Sequence, residues 1–314
     1  MCEMNLIKSN YTIFSLESPE FKDINEAVVF IGVPFGKGNF KNDKCSKFPG
    51  YLRSYMYGKN IKLKNQCNFK YLSTKIDFEK LKELIKNNQI VDLGDIWILN
   101  NENAKFTYEN IYNTYKSFLE KKIVPFSIGG DHSISYPIVK ALSHFHEQIQ
   151  ILHFDAHLDV SNSELQKKFS EEGRVTHHFG NVMKLCADLN QVKKIVHIGI
   201  RDFVNMNYEL PQESIVIYND EIESNLLDAI DPNIPTYISF DIDVLCPSLA
   251  PGTATPVCNG LFFSDIVNVL KILPDDLNVI GIDLVEVNPE LDQKNQTTQI
   301  ATQLISLLVN TIKL

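Results

Sequence analysis

The chain has 314 residues, 44% hydrophobic and 22% charged, with a formal net charge of −9. That is enough for one large α/β domain, read as residues 1–314. The acidic balance argues against a nucleic-acid surface and suits a cationic small partner. Cysteines at 2, 45, 67, 186, 246 and 258 lack C-x-x-C spacing and read as free thiols of a reducing compartment. With no basic-then-apolar leader and no run of membrane-spanning length, no membrane association is expected and the expected location is the cytoplasm.

In chain order, the first predicted strand, 27–33, runs into a lysine-rich stretch, 36–47, that reads as a solvated loop. Helical periodicity follows at 77–87 and 106–120. The strand predicted at 123–128 ends in Gly129-Gly130-Asp131-His132-Ser133, where two glycines allow a tight turn, before a helix over 134–146. Strand 149–154 runs into Asp155-Ala-His157-Leu-Asp159. Strand 193–199 and helix 219–229 precede strand 235–241, which runs into Asp241-Ile-Asp243. Helix 264–272, strand 277–284 and helix 296–311 complete the pattern. Alternation of this kind predicts a parallel sheet covered on both faces, with chemistry at the carboxyl ends of its strands.

The spacing at two of those strand ends is chemically specific. Acids at i, i+2 send alternate side chains to one side, and four converging carboxylates repel unless a cation sits among them. Two imidazoles, His132 and His157, add nitrogen donors. The set is oxygen-rich and free of thiolate, which favours manganese over structural zinc and leaves nickel and iron open. Four aspartates at about −4 and two divalent cations at +4 nearly cancel.

Taken together, Gly-Gly-Asp-His-Ser, Asp-Ala-His-x-Asp and Ser-Phe-Asp-x-Asp resemble the three signatures of the ureohydrolase family, which includes arginases, agmatinases, guanidinobutyrases and formiminoglutamases. Phe30-Ile-Gly-Val-Pro-Phe35 resembles the family's first strand, and Val91-Asp-Leu-Gly-Asp95 a loop after its second. Ala250 to Pro256 and Asp283-Leu-Val-Glu286-Val-Asn-Pro289 resemble two late substrate loops. The resemblance implies a three-layer α-β-α fold with a parallel central sheet and hydrolysis of a guanidino group to urea and a primary amine. It implies two Mn2+ per chain and a trimeric or hexameric homo-oligomer. By the same resemblance His132 and Asp159 belong to one metal and His157 and Asp243 to the other, with Asp155 and Asp241 bridging. Asp159 also relays a proton, Glu286 anchors the guanidinium through paired hydrogen bonds, and Thr255 adds a hydrogen bond there. The family's proton-shuttling histidine falls at His177 or His178, with His178 preferred.

Departures bear on the substrate. Cys246 stands where the family commonly has a third aspartate, with loss of a hydrogen bond near the metals expected. A family Gly-Pro…Arg loop at the pocket mouth appears only as Phe48-Pro49-Gly50-Tyr51-Leu52-Arg53. Ser161-Asn162-Ser163 and the charged stretch 164–174 differ from the arginase recognition loop. The favoured substrate is therefore agmatine, a guanidino acid or a peptide-borne arginine, with free L-arginine as the alternative. A catalytically silent metal- or amine-binding relative is the competing non-enzymatic reading, and a mononuclear zinc deacetylase fits less well. His144, His146, His153 and His197 read as structural, and Cys246 and Cys258 as packing residues.

Overall fold

The computed structural model describes residues 6–39, 44–66, 78–98, 104–161, 177–202, 209–212 and 214–314. Among the described residues nine strands form one sheet: β1 (Leu6–Ile7), β2 (Val28–Val33), β3 (Ile90–Ile96), β4 (Val124–Gly129), β5 (Ile149–Phe154), β6 (Val192–Ile198), β7 (Ser214–Ile217), β8 (Thr236–Asp241) and β9 (Val279–Val285). Their spatial order is β1-β3-β2-β4-β9-β8-β5-β6-β7, with every neighbouring pair parallel except β1 with β3.

The central strands β2, β4, β5, β8 and β9 are buried nearly along their whole length because both faces are covered. Val28 and Phe30 enter one core, and Val29 and Ile31 the other. The first core is closed by α1 (Phe48–Gly58), α3 (Glu79–Lys86), α7 (Ile222–Ala229), α8 (Phe263–Ile272) and α9 (Gln296–Val309); α2 (Leu63–Gln66) adds Leu63 to it. The second is closed by α4 (Ala104–Leu119), α5 (Ser135–Leu142) and α6 (Val182–Ala187). The three-layer α/β expectation holds. No helix among the described residues is long and apolar enough to cross a membrane.

Consecutive strands β4 and β5 are separated in the sheet by β9 and β8. The chain winds outward from β5 to β7 and returns to fill the gap. The carboxyl ends of β4, β9, β8 and β5 therefore lie side by side, the part of an open α/β sheet where ligands bind.

Two expectations are corrected. Val91–Asp95, read as a loop, lies inside β3, and Phe48–Arg53, read as a loop at the pocket mouth, opens α1. The physical reason is one buried ion cluster. Arg53 donates to Asp92 through Nε (2.8 Å) and Nη2 (2.9 Å), to Asp95 through Nη1, and to the Gly94 carbonyl. Asp92 also accepts from the amides of Ile13 and Gly94. Arg53 and Asp92 are fully buried, so a helix and an acid-bearing strand that look polar in sequence neutralise each other in the core. Pro49 sits in the first turn of α1, where no amide is needed.

Removing one partner strands a buried charge, at about 3–5 kcal/mol. Arg53→Ala is expected to lower unfolding stability by that amount in urea titrations. A loss of the size seen for surface substitutions would contradict this account of the cluster.

Candidate metal centre

Register brings the motif residues together. Phe154 pairs with Phe240 and Asp241 with Val285, so the residues following β5, β8 and β9 emerge side by side. Backbone amides then aim the acids. The His157 amide donates to Asp155 Oδ1 (2.6 Å), the Asp243 amide to Asp241 Oδ1 (2.8 Å) and the Ala156 amide to Asp243 Oδ1 (3.1 Å). His132 sits in a 3-10 turn between β4 and α5. Its Nδ1 lies 3.1 Å from Asp155 Oδ2, 3.0 Å from Asp159 Oδ2 and 3.3 Å from Asp241 Oδ2. His157 Nδ1 lies 3.3 Å from Asp155 Oδ1 and 3.1 Å from Asp243 Oδ2. All six candidate ligands thus fall in two groups that share Asp155.

The two glycines before His132 serve close packing rather than a left-handed turn, since neither has positive φ. A Cβ on Gly130 would meet the Phe35 carbonyl oxygen at 1.8 Å. Positive φ occurs instead at Asp159 (53°) and Glu286 (62°). Each such residue costs of order 1–3 kcal/mol and persists only where its surroundings enforce it. The Asp159 carbonyl is held by the Met183 and Lys184 amides, and the Glu286 amide by the Gly130 carbonyl.

The donor set fits divalent cations. Ser239 Oγ donates to Asp283 Oδ1 (2.9 Å), so it receives His132 Nε2–H (2.9 Å) as acceptor. Nδ1 is then the nitrogen available for a metal, and it is buried with no hydrogen bond although three carboxylates surround it. Burial, then Asp243 and Asp155, pushes Asp241 well above the usual carboxylate range; burial and then Asp155 raise Asp159. Burial disfavours a charged His157, but Asp243 and Asp155 outweigh it and hold its proton up to about 12. Without a metal the cluster keeps protons that cations would displace.

Glu286 is buried beside the cluster. Its Oε1 accepts the His132 amide (2.9 Å) and its Oε2 accepts Asn39 Nδ2 (3.1 Å). Burial and then Asp131 raise it to about 8. Asn39 lies in the stretch expected to be a solvated loop, yet it is buried, and its amide also binds Asp131 (3.0 Å). Thr255 donates to Asp243 Oδ2 (3.2 Å). His177 packs on the rings of Tyr108 and Tyr136 (5.4 and 5.0 Å between centroids). His178 is buried, and burial followed by His177 lowers it to about 4, so its ring is neutral at neutral pH. The Ser161 amide bonds the Gly180 carbonyl, tying the segment after Asp159 to the His178 turn. Residues 162–174, and with them most of the atypical recognition stretch, lie outside the described residues.

Sequence reasoning missed several contributors besides Asn39. Asp202 lies 3.6 Å from His157 Nε2. Arg201 donates to the carbonyls of Asp243, Val244, Leu245 and Val257, clamping the loop that carries Asp243 and Cys246. Asp283 accepts from Ser135, Tyr237, Ser239 and the Phe240 amide beneath His132.

The arginase-family model matches residues 26–309. The chain belongs to the arginase family. Among curated members, human mitochondrial guanidino acid hydrolase is 32% identical over 229 residues, covering 69% of this chain and 62% of that protein. Gallus gallus mitochondrial agmatinase is 32% identical over 234 residues, with 69% and 64% covered. The chain spans under two thirds of the length of these two relatives. Bacillus subtilis formimidoylglutamase is 28% identical over 299 residues, covering 90% and 86%. Two solved structures share the fold at 23% identity and a TM-score of 0.78: a hypothetical agmatinase from Burkholderia thailandensis (97% of this chain, 91% of that one) and proclavaminate amidino hydrolase from Streptomyces clavuligerus (97% of each).

A titration test follows from Glu286. Its folded value of about 8 exceeds the reference 4.5, so its contribution to stability is complete below 4.5 and is lost as pH rises through 8. Glu286→Gln removes that loss. In chelator-treated protein the variant's melting temperature, relative to the parent, is expected to climb between about pH 5 and about pH 9. A pH-independent difference would contradict the raised titration of this buried acid.

Proposed function

We propose that the chain is a metal-dependent amidinohydrolase that cleaves a guanidino group to urea and a primary amine. The observation that carries this reading is a buried carboxylate with no lysine or arginine partner among the described residues, Glu286, fixed next to two groups of imidazole and carboxylate donors that share Asp155. His132 and Asp159 would hold one metal and His157 and Asp243 the other, with Asp155 and Asp241 common to both. The hard, oxygen-rich donor set supports manganese. Two divalent cations, when bound, supply Lewis acidity and lower the pKa of water so that it attacks at neutral pH.

The chain's own residues do the rest. A guanidinium meeting Glu286 restores charge balance in a site where the acid alone is pushed to about 8, and a carboxylate matches its planar fork with two parallel hydrogen bonds. Asn39 and the His132 amide keep that carboxylate from rotating. Asp159 accepts a proton from the attacking water and passes it to the leaving amine. His178, on the turn tied to the segment that follows Asp159, relays protons outward. Its neighbour His177, wedged between two tyrosine rings, is the less suited of the pair.

For the substrate we favour a guanidino compound without a free α-amino and α-carboxyl pair. Two relatives over 30% identical are named as a guanidino acid hydrolase and an agmatinase, and the segment after Asp159 departs from the arginase pattern. An unpaired amino-acid head costs roughly 1–3 kcal/mol per stranded polar group. Activity in a homo-oligomer, in the cytoplasm and from a single domain of residues 1–314 completes the proposal.

The test is urea release from manganese-loaded protein across agmatine, 4-guanidinobutyrate, guanidine, an arginyl peptide and free arginine. Turnover of one of the first four above free arginine is expected. A charge-assisted hydrogen bond contributes about 1.5–3 kcal/mol, so Glu286→Gln should lower kcat/KM roughly tenfold or more with metal content unchanged. Absence of urea from every compound in metal-replete protein would favour the silent relative. Preference for free arginine would make the chain an arginase with an altered recognition loop.

A further inference from the structure

His153 reads from sequence as an ordinary core histidine, yet it reaches the metal cluster. Its Nε2 lies 2.9 Å from Asp155 Oδ2, and its position, with His132, Asp155 and Asp159, is close enough to count as a third imidazole ligand. Its other nitrogen decides between ligand and support. His153 Nδ1 lies 2.8 Å from His197 Nδ1, and His197 Nε2 lies 3.3 Å from Ser214 Oγ. Both rings are fully buried. The contacts cross three neighbouring parallel strands: His153 on β5 pairs in register with His197 on β6, and Ser214 opens β7 opposite Ile195.

Counting hydrogens gives the chain a direction. Two ring nitrogens at 2.8 Å must share a single hydrogen between them. Asp155 offers an acceptor oxygen, so His153 carries its hydrogen on Nε2, and a neutral ring then presents a lone pair at Nδ1. His197 must supply the shared hydrogen from its own Nδ1. Its Nε2 is left as an acceptor, which the Ser214 hydroxyl fills. The run is therefore Ser214 to His197 to His153 to Asp155, each step donating toward the metal cluster. Burial holds His197 well below the usual imidazole range, in keeping with a neutral His197 ring.

We infer that His153 is a positioning residue of the metal centre and not a ligand, its Nε2–H being set against the shared carboxylate of Asp155 by a hydrogen-bond wire through His197 to Ser214. A histidine with both nitrogens engaged has no lone pair left for a cation. Its N–H occupies one site on Asp155 Oδ2 and fixes the rotation of the carboxylate that both ligand groups share. Groups of this kind orient ligands and tune metal affinity. The inference rests on the reading of Asp155 as a metal ligand.

The experiment is nitrogen-15 NMR of the histidine rings in metal-free protein and in protein loaded with diamagnetic cadmium-113, with manganese affinity measured by chelator competition. Opposite tautomers are expected, His153 with its hydrogen on Nε2 and His197 with its hydrogen on Nδ1, and cadmium coupling at His132 and His157 but none at His153. His153→Leu should weaken metal binding about 10–100-fold. His153→Gln, whose amide places an N–H at the same point, should recover most of that loss. Cadmium coupling to His153, hydrogens on both of its nitrogens, or equal affinity of the Leu and Gln variants would overturn the inference. Should the Leu variant fail to fold, the ring-nitrogen shifts of the unaltered protein still decide. Failure of the unaltered protein to bind any metal would instead sink the metal reading, while the metal-free spectrum would still read the wire.

Discussion

Four aspartate side chains crowd around two imidazoles at the buried edge of a sheet, and most of the molecule can be understood as the means of keeping them there. In water such acids would separate. Here Asp155, Asp241 and Asp243 are each pinned by a backbone amide, while burial and mutual repulsion drive Asp241 and Asp159 toward protonation. The arrangement is self-consistent only with compensating positive charge. Protons on His132 and His157 supply some of it, and divalent cations would supply more, with the donor types suited to hard ions.

Holding such a cluster demands rigidity from elements that never touch it. Asp283 gathers four donors beneath His132 and so fixes the ring nitrogen that faces the acids. Arg201 clamps the loop after β8 through carbonyl oxygens alone. That clamp holds in place the loop that carries Asp243 and Cys246. Arg53 joins α1 to β3 on the far side of β2, whose following loop delivers Asn39 to Glu286. The strained backbones of Asp159 and Glu286 are tolerated within this frame.

How much of this was legible in sequence follows from the range of the interactions. Strands β2, β4, β5, β6, β8 and β9 are mostly apolar runs and read directly, and acids at i, i+2 spacing after two of them announced the cluster. Strand β3 was hidden because Asp92 breaks its pattern and its neutralising Arg53 lies 39 residues away. The short edge strands β1 and β7 carry too few apolar residues to register. Asn39 was lost in a lysine-rich stretch whose average polarity says nothing about one buried side chain. His153 looked structural because its partner His197 is 44 residues distant and meets it only through strand register. Local spacing reports which side chains share a face. It does not report what the neighbouring strand brings to meet them.

Anomalous diffraction at the manganese edge, from crystals of the manganese-loaded protein, tests the central claim most directly. The account predicts two peaks per chain, one beside His132 and Asp159 and the other beside His157 and Asp243, with Asp155 between them. A single peak, or peaks away from these residues in a correctly folded chain, would contradict it.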